Sequence, residues 1–592
     1  MNNGNDSHIL TPEIKFHLVR KIEVHKVISL EGPVLNPHEE KFLEFHRSAG
    51  VILFERNVQS LAQLGELIGA VRERLRAGEL EPLIMADHEG DLVSVLRRVI
   101  GVPPAPLAVA ATGDPRLARE VARETGTMMR RLGVNCVLAP SADCCFDLAS
   151  PITGLRAFGS DPERVAEYVA ATIAGFKEAG VLACAKHFPG HGSTRDDSHE
   201  TLPVVEKSLD RLKEEDLVPF RRAVDEAVDM IMTAHVVFKT GSDGEPKPAS
   251  FHNDLIQGVL RRELGFDGVV ITDALEMAGA RRYAESSYGG IAGGLERPLL
   301  AGSDLLLYSK PVPKKVMFEG ESMMSVEVME TIIHTLERVV DRERIEQKLR
   351  EAAEAHEGVR ALLNILNASE QRIARLREAA TRFAHPPREQ ARENVIELSD
   401  YPTTPAIYRS VAERGIILLR DPARFLPVDS DLSCVLLPVL HRPAGMIAGQ
   451  EVEEFIRVLM KRFSGWRRTV TVTGFEDADG TGSFEPRFSK PPRGGADMMT
   501  GLPEDASRLV LAVSMRGAPP VEFMEGLISF IDTHPCPMVL VTGWPITHWI
   551  PSDTGVLLTL GSSRQVASVT AAILAGETVA EGNPDHILPR RS

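Results

Sequence analysis

Asp161-Pro162-Glu163-Arg164-Val165-Ala166-Glu167-Tyr168-Val169-Ala170-Ala171-Thr172-Ile173-Ala174-Gly175-Phe176-Lys177-Glu178-Ala179-Gly180-Val181-Leu182-Ala183-Cys184-Ala185 contains one complete structural sentence. Asp161 can cap a helix whose first residue is Pro162, and Val165, Val169, Ile173 and Phe176 then recur at helical spacing. Gly180 closes the helix, and the apolar run that follows reads as a strand buried on both faces. The same sentence recurs: Ser48-Ala49-Gly50 leads into Val51-Ile52-Leu53-Phe54, Leu132-Gly133 into Val134–Pro140, Leu264-Gly265 into Gly268–Ile271, and Ala301-Gly302 into Asp304–Tyr308. Strands are expected near 26–30, 51–54, 82–86, 134–139, 181–185, 229–234, 268–272 and 304–308. Eight βα units in about three hundred residues suit a TIM-type (β/α)8 barrel better than an open doubly wound sheet, and its active site belongs at the C-terminal ends of the strands.

The 592 residues exceed what one core organises, so three segments are expected. A catalytic barrel spans 1–318. A helical, charge-rich linker spans 319–385. A second α/β sandwich domain spans 386–592, with apolar runs at Gly415–Leu419, Cys434–Pro438, Leu509–Val513, Met538–Val541 and Val556–Leu560. Within it Asp477–Asp497, rich in Gly, Pro, Asp and Ser, reads as a long mobile loop. With 43% hydrophobic and 25% charged residues the composition is that of an ordinary globular protein. A net charge of −16 disfavours nucleic acid and anionic membranes as partners, which leaves a neutral or polar small molecule. Neither a signal-like N-terminus nor a membrane-length apolar run is read, so a cytoplasmic location is expected. The six cysteines form no CxxC pair and read as buried reduced thiols.

The densest chemistry lies just after the fifth strand, in Lys186-His187-Phe188-Pro189-Gly190-His191-Gly192-Ser193-Thr194-Arg195-Asp196-Asp197-Ser198-His199. Pro189, Gly190 and Gly192 make this a loop. Residues at the other strand ends add Asp87, Arg156, His235 and Asp273. Carboxylates on opposite sides of a barrel mouth with cations between them suit acid/base work on a polar neutral substrate. Asp273 reads equally as a reactive carboxylate or as the N-cap of the next helix. Asp197 and His199 stand two apart, so the carboxylate can orient the imidazole as a general acid, although an isolated Asp-x-His more often makes a loop hydrogen bond. His187 and His191 have the spacing of helical zinc ligands, but Pro189-Gly190 breaks the helix. No metal or cofactor is expected, and a metal-dependent TIM-barrel hydrolase is the alternative from a different class.

The run Lys186–Pro203 resembles the signature of family 3 glycoside hydrolases of the β-N-acetylglucosaminidase type, the branch associated with bacterial cell-wall recycling. Gly50–Asn57, Asp87-His88-Glu89-Gly90, Arg156–Pro162, Pro248–Phe251 and Leu264–Met277 reinforce the resemblance in the family's order, and Val411–Arg420 with Ala571–Glu577 extends it more weakly. The resemblance implies a β-N-acetylhexosaminidase acting by retaining double displacement on a small glycoside or muropeptide fragment. It makes Asp273 the nucleophile, His199 oriented by Asp197 the acid/base, and Asp87, Arg156, Lys186 and His187 the substrate holders. Runner-up activities in the same fold are β-glucosidase or β-xylosidase chemistry, and phosphorolysis, since a neutral imidazole does not repel an anionic acceptor. The second domain then has no catalytic duty; packing, dimerisation or substrate shaping is left for it. The chain departs from the family where Asp-x-Glu-Gly-Gly-Arg-Val-x-Arg is usual: Asp91, Leu92 and Val95 replace a Gly and both Arg, with Arg97 and Arg98 the nearest cations that could compensate. Ser193 stands where Asp is frequent, and Asn583–Pro589 copies the usual closing motif poorly.

Overall fold

The computed structural model describes residues 21–311 apart from 76–79, 92, 147–149, 151, 195–201, 239–245 and 289–296, together with a hairpin within 315–325, residues 353–354, a long helix over 357–382 and the secondary-structure framework of 405–583. Strands β1 (Lys26–Ser29), β2 (Gly50–Leu53), β3 (Leu83–Ala86), β4 (Cys136–Val137), β5 (Leu182–Phe188), β6 (Met230–Thr233), β7 (Val269–Thr272) and β8 (Leu306–Pro311) match the eight expected positions. They pair in parallel in the order β7-β6-β5-β4-β3-β2-β1-β8. An Ile271–Leu305 bridge between the outer two nearly closes the barrel.

Strand alternation divides the core. Val27, Ile52, Leu83, Met85, Cys136, Cys184, Met230, Ile271 and Leu305 fill the interior. Ile28, Val51, Leu53, Ile84, Val137, Ala183 and Val270 face outward and pack with the surrounding helices. This follows from the period of two along each strand. The helix Pro162–Ala179 forms as its sequence dictates: the Asp161 carboxylate accepts the amides of Glu163 and Arg164, and Gly180 ends it at φ 73°.

The helix Glu357–Arg382 plugs the end of the barrel opposite the C-terminal strand ends. Its Ile373, Leu376 and Ala380 join the interior cluster. Polar anchors surround that apolar contact. Asp304, fully buried ahead of β8, takes ion pairs from Arg261 at 2.6 Å and Arg372 at 2.8 Å. Arg377 donates to the carbonyls of Leu80 and Glu81 at 2.8 and 2.9 Å. The stretch read as helical throughout also holds strand: Lys315–Phe318 pairs antiparallel with Ser322–Ser325, and this hairpin straddles residue 318.

In the C-terminal region the described strands form one mixed sheet with a parallel centre, including Val435–His441, Leu509–Met515, Met538–Val541 and Gly555–Leu558. The segment read as a long loop contains one more strand, Phe484–Phe488, antiparallel to Val472–Asp477. It lies at the sheet edge, which is where Pro486 is tolerated in a strand. Among the described residues no helix is long and apolar enough to cross a membrane.

Candidate active site

The C-terminal ends of β3, β4 and β5 bring together a buried charge cluster. Asp87 immediately follows β3, and Glu89 lies two residues on, in the short hairpin His88–Gly90/Val93–Ser94. Lys186, near the end of β5, places Nζ 2.6 Å from Asp87 and 2.5 Å from Glu89. Arg156, at the end of a 3-10 turn after β4, grips Glu89 with two parallel bonds of 2.8 Å. Burial alone would push the Glu89 carboxyl up, but the adjacent Arg156 and Lys186 charges outweigh it and hold Glu89 well below the usual carboxylate range. The converse holds for Lys186: burial opposes its charge, and Asp87 with Glu89 more than restores it. The two cations are thereby fixed side by side, ready to donate hydrogen bonds to a polar ligand.

His187 is aimed by a second carboxylate. The Arg156 guanidinium, which can only donate, lies 3.3 Å from His187 Nε2, so Nε2 accepts and the ring proton sits on Nδ1. Nδ1 donates to Asp143 at 2.7 Å. Asp143 also accepts the amide of His191 at 2.7 Å, the amide of His187 at 3.3 Å and the Ser141 hydroxyl at 3.2 Å. Burial tends to raise the Asp143 carboxyl; the facing His187 imidazole and the donors from the loop bring it down to about 2. The first half of the reactive loop is thus wound around one carboxylate. His191 turns edge-on to His187 with ring centroids 6.0 Å apart, and its Nδ1 bonds Thr194 Oγ1 at 2.6 Å. Burial lowers the His191 pKa to about 4, although Asp143 opposes the shift.

Replacing Asp143 by Asn is expected to cost about 1–3 kcal/mol at pH 7, because it removes a buried charged acceptor for the His187 ring and the His191 amide. The sign follows from the depressed pKa: the contribution is complete above about pH 5, falls to about half near pH 3 and is lost as pH drops through about 2. Urea unfolding of wild type and Asp143→Asn across this range measures it, and a constant difference between the two proteins down to pH 3 would rule out this account.

Asp273 directly follows β7, its amide bonded to Thr233 at 3.0 Å. The next helix begins only at Ala278, and the Asp273 carboxylate instead accepts the amide of Ala274 at 2.7 Å. Of its two readings, that of N-cap for the following helix is therefore set aside. His235, beyond β6, braces this strand end: Ser250 Oγ lies 2.8 Å from its Nδ1, and its Nε2 donates to the Ala274 carbonyl at 3.1 Å. Asp197 and His199 lie outside the described residues. The chain on either side of them is anchored, by Thr194 at the mouth and by Val204–Val205 paired with Val237–Phe238.

Of the residues predicted from sequence, Asp87, Arg156, Lys186 and His187 form one contiguous cluster, and Asp273 ends a strand of the same mouth. Glu89 and Asp143 were not singled out. Each had a signal: Glu89 stands at the i+2 position from Asp87, and Asp143 closely follows a predicted strand, as the other site residues do. The departures at 91–97 also acquire a physical reading. Asp91 has φ 40°, a left-handed conformation that explains why Gly is usual there. Arg97 donates to the carbonyls of Ser94 and Asp91 at 3.1 and 3.3 Å and pairs with Glu55 at 3.2 Å, so it braces the Glu89 hairpin from its own side of the barrel rim.

The sequence profile of the Glycosyl hydrolase family 3 N terminal domain matches residues 19–382, more than half of the chain. A beta-hexosaminidase from Thiobacillus denitrificans is 37% identical over 288 residues, which is 48% of this chain and 77% of that protein. A beta-hexosaminidase from Thioalkalivibrio sulfidiphilus is 40% identical over 260 residues, 43% of this chain and 73% of the relative. The glycoside hydrolase family 3 beta-N-acetylglucosaminidase from Paenibacillus sp. str. FPU-7 superposes with a TM-score of 0.72 at 24% identity, covering 96% of this chain and 98% of that one. This last likeness is one of fold.

Proposed function

This chain belongs to glycosyl hydrolase family 3 and is a glycosidase, and from that premise we propose that it removes terminal, non-reducing β-linked N-acetylglucosamine from small glycosides, with cell-wall fragments as the natural source. The observation that carries the reading is the clamped cation pair: Lys186 and Arg156 are locked to Glu89 beside Asp87 and His187, at the strand ends where a sugar's hydroxyl and acetamido groups need fixed donors and acceptors. Such preorganisation is what binding and orienting a polar, uncharged ring requires.

In the proposed mechanism Asp273 attacks the anomeric carbon and the glycosidic bond breaks, leaving a glycosyl-enzyme. His199, oriented by Asp197, gives its proton to the departing oxygen and then takes one from the water that attacks the anomeric carbon and displaces the Asp273 carboxylate. Asp87, Lys186, Arg156 and His187 hold the sugar throughout. The division of labour along the chain is part of the same proposal: a catalytic barrel to residue 318, a linker to 385, and a C-terminal domain that supplies no reacting group. A cytoplasmic location and a role in peptidoglycan recycling complete the reading.

A panel of aryl glycosides tests it. The N-acetylglucosaminide is expected to be the best substrate, and equal or better turnover of the glucoside or xyloside would overturn the choice. Running the assay with and without inorganic phosphate, and looking for a sugar 1-phosphate, separates hydrolysis from phosphorolysis. His199→Ala is expected to lose about 10²–10⁴-fold on a substrate with a poor leaving group, and far less on a nitrophenyl glycoside, because only the former needs protonation to depart. Undiminished turnover of the poor-leaving-group substrate would remove His199 from the mechanism.

A further inference from the structure

We infer that the C-terminal domain positions the sugar-binding cations from a distance, through a proline-stiffened strut that ends against the Glu89 hairpin. The inference rests on the site reading above and adds Tyr408 and Gly415 as positioning residues. The strut is Pro103-Pro104-Ala105-Pro106 running into the helix Pro106–Ala111, in which every residue is buried. Three prolines fix φ at their own positions and restrict the residues before them, so this segment resists bending.

At one end the strut meets the hairpin by backbone. The Asp91 amide donates to the Pro103 carbonyl at 2.9 Å. Gly90, at φ 126°, lies so close that a Cβ there would stand 2.2 Å from the Pro104 carbonyl oxygen. Hairpin and strut together line a cavity of about 30 Å³, with His88 and Glu89 from the one and Pro103, Pro104 and Pro106 from the other.

At its other end the strut is gripped by the C-terminal domain. The helix Ala406–Gly415 packs on Pro106–Ala111 closely enough that a Cβ on Gly415 would fall 2.6 Å from the Ala108 carbonyl oxygen. Asn583 donates its amide to Ala111 at 3.1 Å. Tyr408, 1% exposed, shares a 2.7 Å hydrogen bond with Thr125 on the adjoining barrel helix. Val411, Ile417, Val539 and Val556 of the C-terminal domain belong to the same apolar cluster as Leu107, Ala108 and Val109. A displacement at this contact passes along the strut to Glu89, and from Glu89 to Lys186 and Arg156.

The test compares Gly415→Ala with Leu459→Ala, a core truncation on the helix Gln450–Arg462, which packs on the helix Arg564–Leu574. Gly415→Ala is expected to raise KM for the aryl N-acetylglucosaminide at least about fivefold with a smaller change in kcat, as loss of positioning in the bound state predicts. It is also expected to speed hydrogen exchange of the 88–96 amides about tenfold well below the unfolding midpoint. Leu459→Ala is expected to lower the midpoint and do neither. Unchanged KM and unchanged hairpin exchange in Gly415→Ala, or the same changes in both variants, overturns the inference. If Gly415→Ala does not fold, Pro104→Ala, which keeps the carbonyl but frees φ, is read in the same two ways. A wild type inactive on every N-acetylglucosaminide defeats the functional reading, while the exchange measurement still decides the strut.

Discussion

Asp273→Asn is expected to reduce turnover of an aryl β-N-acetylglucosaminide by at least about 10⁴-fold while leaving the unfolding midpoint within a degree or two, the signature of a lost nucleophile rather than a lost structural group. The substitution keeps the size of the side chain, and an amide oxygen can still accept the 2.7 Å bond from the Ala274 amide. Because the helix begins only at Ala278, no N-cap of that helix is lost. What disappears is the charge that can attack the anomeric carbon. The companion variant Asp273→Gly opens room for an external nucleophile. Azide is expected to restore turnover with a nitrophenyl leaving group, the new C–N bond forming as phenolate departs and the product carrying the inverted configuration. Turnover of Asp273→Asn within tenfold of wild type, or no response of Asp273→Gly to azide, would assign the nucleophile elsewhere.

Glu89→Gln is expected to cost about 3–5 kcal/mol in stability and about 100-fold in kcat/KM together. Among the described residues Glu89 is the one carboxylate bonded to both cations, and its side chain is 1% exposed, so water cannot replace it. With a neutral amide in its place one oxygen can still accept from a cation, but the other position becomes an NH2 that faces a donor, and the negative charge between Arg156 and Lys186 is lost; Lys186 retains Asp87 at 2.6 Å. The two cations then repel across a buried gap. The pH dependence has a definite sign. The Glu89 carboxyl is depressed in the folded state, so its stabilisation is complete above its ordinary value of 4.5 and is lost as pH falls through the folded-state value. Wild type and variant are therefore expected to differ by a constant amount from pH 6 to 9 and to converge only in strong acid. Urea titrations at those pH values measure the stability term, and a difference below about 1 kcal/mol at pH 7 would refute the clamp.

Several features of the site were legible because they depend on local order. Asp161-Pro162 and Gly180 cap their helix as written, since capping uses only neighbouring amides and the left-handed residue that ends the turn. Asp87, Lys186 and Asp273 could be listed together because a parallel barrel delivers strand ends to one face. Glu89 and Asp143 escaped because their importance lies in partners 67, 97, 44 and 48 residues away along the chain, and no local pattern encodes which carboxylate a distant cation will choose. The strand Phe484–Phe488 escaped for a related reason: its Pro486 reads as loop, and only an edge position makes it acceptable.

Periodicity and capping within a dozen or so residues specify the repeating βα grammar, the number and direction of the barrel strands, and the residue types collected at their ends. Contacts between remote segments select which carboxylate clamps Lys186 and Arg156, which nitrogen of His187 carries the proton, that Asp273 does not cap the next helix, and that a C-terminal helix packs on the proline segment abutting the hairpin that holds Glu89. Those outcomes depend on buried distances of a few ångströms between remote segments. In a low-dielectric interior such distances set the charge state and the aim of every group in the site.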